Sequence, residues 1–120
     1  MAVKIALDAM GGDHAPREVV LGAVEASPFI HHDILLIGDP AKINEYLPRP
    51  CPANIQIHPA SEVIEMHEKP IEAIRKKKNS SITVGVELVK AGEAEVFVSA
   101  GNTGACTAAS LLSWRQMPGF

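Results

Sequence analysis

Aromatic side chains are scarce in this sequence, and their scarcity narrows the functions it can have. Phe, Trp and Tyr make up only 4% of the 120 residues, whereas 47% of the residues are hydrophobic. This composition predicts a folded chain with an aliphatic core rather than a disordered one. Modules that bind nucleic acid by stacking need exposed aromatic rings. We therefore expect no base-stacking function.

Cysteine, excess positive charge and long apolar runs are also lacking. The two cysteines, Cys51 and Cys106, lie far apart, so neither a disulfide scaffold nor a short-spaced metal pair is expected. A reducing, cytoplasmic location fits best. The net charge of −3 gives no overall basic footprint for nucleic acid. The opening apolar run, Met1–Asp8, is too short for a signal peptide or a membrane span.

Short apolar runs alternate with helical patterns along the chain. The predicted strands are Val3–Ala9, Asp33–Gly38, Asn54–His58 and Glu95–Ser99. The first predicted helix begins at Pro16 and ends near Ser27–Pro28, and the others are Pro40–Tyr46, Pro70–Lys78, Ile82–Ala91 and Ala105–Gln116. Residues 60–69 have no clear assignment. Such alternation favours an α/β fold in which helices cover a mostly parallel sheet through right-handed crossovers.

A Gly-rich segment follows the fourth predicted strand and opens the last helix. It contains Ser99, Gly101, Asn102, Thr103 and Gly104. Ligands of open α/β sheets bind beyond the carboxyl ends of the strands, and the N–H groups at a helix start favour an anion. The segment therefore suits a phosphate or an oxyanion. The alternative is a strand-to-helix turn that needs glycine for its geometry and Thr103 for capping.

A second polar loop lies between the first strand and the first helix. Its candidate residues are Asp8, Gly11, Gly12, Asp13 and His14. The loop lacks the GxGxxG pattern and the Walker lysine, so dinucleotide and P-loop functions are only weakly indicated. The acidic residues and His14 could transfer protons or hold a substrate. Alternatively, Asp13 caps the helix and His14 is merely solvated.

The third candidate is the basic run Arg75–Lys78 with the residues that follow it. Lys76 and Lys77 could contact a phosphate or an acidic carrier protein, although cations at a helix C-terminus are common and are the simpler explanation. Ser80 and Ser81 cap the next predicted helix and are further candidates for substrate binding.

The cysteine at the start of the last helix and the histidines are weaker candidates. Cys106 lies at a predicted helix start, where a thiolate is stabilised, but a small buried residue is the more frequent explanation. The histidines show no metal-ligand spacing. No metal site is therefore predicted.

Five short motifs occur in an informative order. They are Ile5–Pro16, Gly38–Asp39, Ala60–Met66, Pro70–Ser81 and Val98–Ala105, and Arg115 before Pro118–Gly119 follows them. In this order they resemble the bacterial phosphate acyltransferase family (PlsX, acyl-ACP:phosphate acyltransferase). The resemblance covers the whole chain, and family members are roughly two to three times the length of this chain. The chain is therefore expected to be the N-terminal portion of a single α/β acyltransferase domain.

The resemblance implies a fold, a reaction and partners. The fold is a three-layer α/β/α sandwich related to phosphotransacetylases and to isocitrate and isopropylmalate dehydrogenases. The reaction converts an acyl-acyl carrier protein and inorganic phosphate into an acyl phosphate for phospholipid synthesis, with no metal or organic cofactor. The implied protein is a cytoplasmic homodimer that associates loosely with the membrane.

Within that reaction the phosphate itself is the expected nucleophile. The Ser99–Gly104 segment would bind phosphate or the oxyanion, with Asn102 as a catalytic residue, while Asp8, Asp13 and His14 would orient groups or accept protons. Two rival hypotheses remain. One is an isopropylmalate-dehydrogenase-like oxidoreductase, which would need a dinucleotide site and acidic metal ligands. The other is a non-enzymatic module that binds an anion or a carrier protein.

Overall fold

The computed structural model describes the backbone of residues 3–114 and the side chains of residues 3–102 and 104–110. Four strands, β1 (Lys4–Asp8), β2 (Asp33–Gly38), β3 (Ile55–Pro59) and β4 (Val96–Val98), form one sheet in the order β3-β2-β1-β4. All the strand pairs are parallel. The helices are α1 (Arg17–Ala26), α2 (Pro40–Asn44), α3 (Pro70–Lys76), α4 (Ser81–Lys90) and α5 (Thr103–Trp114), and a 3₁₀ turn spans Ser27–Phe29. The predicted α/β fold with a parallel sheet is confirmed.

Helices cover both faces of the sheet because the buried side chains of β2 alternate between them. Ile34 and Leu36 pack into the cluster that contains Val20 of α1 and Ile43 of α2. Leu35 and Ile37 face the opposite cluster, which includes Leu88 of α4. A third cluster joins α3, α4 and α5. The structure therefore has three layers, and β2 is its most buried strand.

Side-chain caps fix where several helices begin. The Asp39 carboxylate accepts from the Ala41 N–H at 3.0 Å, which confirms the predicted start of α2. The Ser80 hydroxyl accepts from the Thr83 N–H at 3.1 Å, so Ser80 alone caps α4 and Ser81 is the first helical residue.

The element ends differ from the predictions by one or two residues. Helix α5 begins at Thr103 rather than Ala105, and α3 ends at Lys76 rather than Lys78. Strand β4 is shorter than predicted at both ends. The predicted end of α5 at Gln116 lies outside the described residues. The sequence pattern cannot resolve these ends because caps and backbone hydrogen bonds, rather than hydrophobic period, decide them.

The unassigned stretch of residues 60–69 forms an irregular segment beyond the carboxyl end of β3. Within the described residues, one isolated parallel β-bridge joins this segment to the rest of the chain, between Glu62 and Ser80.

The strand order of the sheet reverses at β1. Strands β2 and β3 follow on one side of β1, whereas β4 lies on the other side. The loops that leave β1 and β4 therefore lie next to each other, where ligands of open α/β sheets bind.

Candidate anion-binding site at the β1–β4 junction

A buried carboxylate joins the two predicted loops. Asp8, the last residue of β1, is 1% exposed. Its Oδ1 accepts from the Met10 N–H at 3.0 Å, and its Oδ2 accepts from the Ser99 hydroxyl at 2.7 Å. The Ser99 Oγ in turn accepts from the Gly101 N–H at 3.0 Å. Each oxygen of this buried carboxyl group therefore has a hydrogen-bond donor.

The two loops also touch through glycine backbones. A β-carbon added to Gly11 would lie 2.6 Å from Asp8 Oδ2 and 2.8 Å from the Gly101 nitrogen. No side chain fits in that space, so glycine is required for the close approach. We call Asp8, Gly11, Ser99 and Gly101 the β1–β4 junction. The structure thus brings together four candidates that are separated by up to 93 positions in the sequence.

The first turn of α5 lies directly beyond the junction. Asn102 is 5% exposed, and its Oδ1 accepts from the Ala105 N–H at 3.0 Å. Asn102 rather than Thr103 is therefore the observed cap, and the side chain of Thr103 lies outside the described part of the structure. In an α-helix the backbone N–H groups of Thr103 and Gly104 have no acceptor within the helix itself. Such N–H groups suit an anionic ligand.

Asn102 also ties α5 to the segment of residues 61–69. Its Nδ2 donates to the carbonyl oxygens of Glu65 and Glu68, each at 3.1 Å. The amide therefore uses both of its donor hydrogens and one acceptor within the protein. We predicted Asn102 as catalytic, and the structure gives it this positioning geometry. These contacts could not be predicted from local patterns, because 37 residues separate Asn102 from Glu65 and 34 separate it from Glu68.

Lys77 stabilises the same segment. Its Nζ lies 2.7 Å from the Glu68 carboxylate and donates to the Val63 carbonyl oxygen at 2.6 Å. The hydrogen bond from Lys77 holds the pKa of Glu68 below its usual range, and the Glu65 N–H adds to this lowering. Lys77 is thus already engaged by protein groups.

Lys76 has a different environment from its neighbour. It is exposed and lines a cavity of about 250 Å³ together with Glu68, Lys69, Glu72 and Ala73. The basic run therefore divides into a lysine that holds the fold and a lysine that faces solvent.

The remaining candidates lie outside the junction. Asp13 and His14 are exposed on the loop before α1, and Gly12 is half-buried beside Ala100. Asp13 does not cap α1, because Pro16 holds the cap position without a side-chain hydrogen bond. Ser80 and Ser81 are buried at the start of α4. These two serines have a clear structural role, whereas the exposed pair remains available to a ligand.

Cys106 lies in the first turn of α5, close to the junction. Burial raises the pKa of its thiol, a hydrogen bond with Ser99 acts in the opposite direction, and the charge of Asp8 raises the pKa further. The net shift is upward, so the thiol stays protonated at neutral pH and is a poor nucleophile. Cys106 is half-buried rather than fully buried, and it packs against the cluster that joins α3, α4 and α5.

The described residues contain neither a metal-ligand cluster nor a membrane-spanning helix. No three His, Cys, Asp or Glu side chains converge there on a position that could hold a metal ion. In the same part of the chain, no helix has the length and apolar character needed to cross a bilayer.

Known proteins resemble the chain along nearly its whole length. The model of the family described as "Fatty acid synthesis protein" matches residues 3–120. The chain is 50% identical over 119 residues to the phosphate acyltransferase of Desulfitobacterium hafniense, covering 98% of this chain and 36% of that protein. It is 49% identical over 118 residues to the phosphate acyltransferase of Thermosynechococcus vestitus, covering 98% and 34%. It is 51% identical over 121 residues to that of Heliobacterium modesticaldum, covering 98% and 36%.

The chain spans about a third of the length of the curated relatives it matches. The family match includes both loops of the β1–β4 junction and the whole described sheet. The chain therefore belongs to the fatty acid synthesis protein family, and its resemblance to the phosphate acyltransferases is confirmed.

Proposed function

We propose that the full-length protein transfers a fatty acyl group from acyl carrier protein to inorganic phosphate, giving an acyl phosphate for phospholipid synthesis. The relatives named phosphate acyltransferase support an acyltransferase that uses phosphate. The observation that carries the proposal is the contact of two Gly-rich loops where the strand order reverses, at the start of α5.

Phosphate would bind at the first turn of α5. The N–H groups of Thr103 and Gly104 would donate to its oxygens, and the positive end of the helix dipole would favour its charge. Asn102 would hold this turn in place because its side-chain oxygen Oδ1 accepts from the Ala105 N–H. The buried junction beneath would keep the loop rigid, so that binding needs little reorganisation.

The chemical step would be direct attack of a phosphate oxygen on the thioester carbonyl carbon. A carbon–oxygen bond forms, the carbon–sulfur bond breaks, and the carrier thiolate leaves and takes up a proton. N–H donors would stabilise the tetrahedral oxyanion between these two events. Asp13 and His14, both exposed beside the junction, are the proposed proton-handling groups. No serine or cysteine needs to be acylated.

The carrier protein would dock on the exposed cations of the basic run. Lys76 is the better candidate for this contact, because Lys77 is bound to Glu68 and Val63. Arg75 and Lys78 are also exposed. An acidic carrier would be attracted to these charges in a salt-dependent way. A homodimer at the cytoplasmic face of the membrane is the proposed state of the whole protein.

The test is turnover by the full-length protein with acyl-acyl carrier protein and inorganic phosphate. We expect thioester loss that depends on phosphate and an acyl phosphate that hydroxylamine traps as a hydroxamate. Asn102→Ala should lower turnover, whereas Asn79→Ala, which loses only a hydrogen bond to Ser61, should not. Thioester loss without phosphate, or NAD(P) reduction in its place, would show that the proposal is wrong.

A further inference from the structure

Strand β4 has an open edge, although its sequence is typical of an interior strand. Val96 and Val98 are 45% and 47% exposed, and Phe97 between them is half-buried. Among residues 3–114, only β1 pairs with β4. Strands that read as continuous apolar runs are typical of parallel sheets that are buried on both faces. The exposure of β4 is therefore at odds with its composition.

Strand β3, at the opposite edge of the sheet, is built differently. Exposed Gln56 and half-buried His58 interrupt its apolar residues. The strand ends at Pro59, which has no N–H to offer a further strand. Polar side chains and proline are features that protect a natural edge strand from pairing. The three residues of β4 include none of these features, so β3 suits an edge and β4 does not.

The exposed valines of β4 continue an apolar surface that begins on β1. Val96 pairs in register with Ile5, and Val98 pairs with Leu7. Ile5 and Leu7 line a mainly apolar groove of about 360 Å³ beside α1. Phe97 points to the opposite face of the sheet, where it packs against clusters that contain residues of α4. Helices therefore cover one face of β4, while the other face borders an open groove.

The backbone of β4 also has hydrogen-bonding groups at the open edge. The Glu95 N–H donates to the Lys4 carbonyl oxygen at 2.9 Å. Alternate residues of a strand bond to the same neighbour in a parallel ladder, so the N–H groups of Val96 and Val98 face away from β1. Such groups are a template for pairing with a further strand.

The position of α5 predicts where a further parallel strand would lie. Helix α5 packs with α3 and α4 in one cluster, whereas α1 lies on the opposite face of the sheet. Helix α4 carries the chain past β2 and β1 to β4. Because crossovers between parallel strands are right-handed, a helix on the same face carries the chain onward in the same direction. A parallel strand that follows α5 would therefore pair with the open edge of β4.

We propose that β4 is an interior strand of the full-length protein and that the residues following α5 cover it. The curated relatives support this occupant, because this chain spans only about a third of their length. One strand of that portion would accept the N–H groups of Val96 and Val98. Another part of it would cover the side chains of both valines together with Ile5 and Leu7.

This inference does not depend on the proposed phosphate site, but it bears on how such a site is built. Ligands of open α/β sheets bind beyond the carboxyl ends of the strands. The carboxyl end of a strand paired with β4 would lie beside the segment Ser99–Gly104. The loop that follows this strand would then supply further residues to the candidate site.

The experiment is thiol labelling of full-length Val96→Cys and Val98→Cys, with Gln56→Cys on β3 as the matched control. Peptide mass spectrometry gives the rate at each position. In the folded protein, the two β4 variants should react at least about a hundredfold more slowly than in urea, because labelling then requires local opening. For Gln56→Cys the folded and unfolded rates should agree within about tenfold. Reaction of both β4 variants as fast as Gln56→Cys in the folded protein would overturn the inference.

Hydrogen exchange of the unaltered full-length protein keeps the inference testable if the cysteine variants fail to fold. The Val96 and Val98 amides should exchange within about tenfold of the rate of the Glu95 amide, which already has an acceptor. Exchange at the rate of an unstructured peptide would overturn the inference.

A second copy of the protein is the rival occupant of this edge. Two β4 strands that paired across a dimer would bring introduced thiols close enough to form a disulfide. We expect no intermolecular disulfide in an oxidised mixture of Val96→Cys and Val98→Cys. Its formation in the folded protein would overturn the inference by placing the second copy at this edge.

Discussion

The β1–β4 junction and the segment around Lys77 are both polar regions at the carboxyl edge of the sheet, but their polar groups have different partners. In the junction, Asp8 and Ser99 connect two loops, and the chain continues directly into the first turn of α5. Around Lys77, the ammonium group is bound to Glu68 and to the Val63 carbonyl oxygen. The first region is the proposed ligand site, whereas the second uses the charge of Lys77 to hold a segment in place.

The difference shows that residue type at a strand end does not by itself identify a binding group. Lys76 and Lys77 are adjacent lysines, yet Lys76 is exposed to solvent and Lys77 is bound to Glu68. Asn102 was predicted as catalytic, and its amide group is bound to Glu65, Glu68 and Ala105. Partners and burial, rather than motif, separate a positioning role from a contact role.

The largest effect is expected from closing the junction with a side chain. In Gly11→Ala the new β-carbon would lie 2.6 Å from Asp8 Oδ2 and 2.8 Å from the Gly101 nitrogen. Overpacking of this kind costs about 1–3 kcal/mol and should separate the loops, so phosphate binding should be lost. Gly22→Ala in α1 is the control, because nothing lies within 4 Å of its added β-carbon. It should stabilise the protein by about 0.5–1 kcal/mol in urea unfolding.

The next largest effect is expected from Asn102→Ala. The change removes a helix cap and the side-chain donor to the Glu65 and Glu68 carbonyl oxygens, and only the Glu65 oxygen keeps a backbone donor, the Glu68 N–H. A loss of about 1–3 kcal/mol in the free energy of unfolding is expected. Asn79→Ala, at an exposed site, should cost less than about 0.5 kcal/mol. Equal losses in the two variants would contradict the positioning role.

Replacing each of the two lysines by methionine in turn tests whether Lys77 stabilises the fold and Lys76 contacts the carrier protein. Lys77→Met should destabilise the protein by about 1–2 kcal/mol because Glu68 and Val63 lose a charged donor. Lys76→Met should leave stability within about 0.5 kcal/mol and weaken carrier binding at low salt. Urea unfolding and carrier titration measure the two quantities. A larger loss of stability in Lys76→Met than in Lys77→Met would contradict these separate roles.

A smaller effect on the free energy of unfolding is expected when the pH is lowered. The pKa of Glu68 is lower in the folded protein than in the unfolded chain. Its contribution to stability is therefore present above the unfolded-state pKa and is lost as the pH falls through the lowered, folded-state pKa. In Glu68→Gln, which has no carboxylate at this position, the free energy of unfolding should fall less over the same pH range. Identical unfolding curves for both proteins across that pH range would count against the Lys77 contact.

The smallest effect is expected from Cys106→Ala. Because burial and the charge of Asp8 keep the thiol protonated, the thiol has no catalytic task in the proposed reaction. Turnover should change less than about twofold. A loss of turnover of several hundredfold would instead identify a thiol nucleophile.

Much of the fold follows from local patterns in the sequence. The four apolar runs predicted all four strands, and Asp39 and Ser80 marked helix starts because capping is a local interaction. The order of the sheet and the placement of residues 61–69 could not be predicted in this way. They depend on contacts such as Asn102 with Glu65, which join residues far apart in the chain.

The candidate site was predicted only in part, because the contacts that form it also join residues far apart in the chain. Glycine and small polar residues after β1 and β4 pointed to both loops, but no local pattern shows that Asp8 reaches Ser99 across 91 residues. The role of Lys77 was likewise hidden, because its partner Glu68 lies in a segment without periodicity.

The most direct test of the proposed site is to titrate phosphate into the isotope-labelled chain and follow its glycine amides, with NAD as the control ligand. We expect saturable shifts at Gly101, Gly104 and Gly11, with Gly22 and Gly92 unmoved and no response to NAD. Shifts confined to glycines outside the two loops, or none at Gly101 and Gly104 in a folded chain, would contradict a phosphate site at the β1–β4 junction.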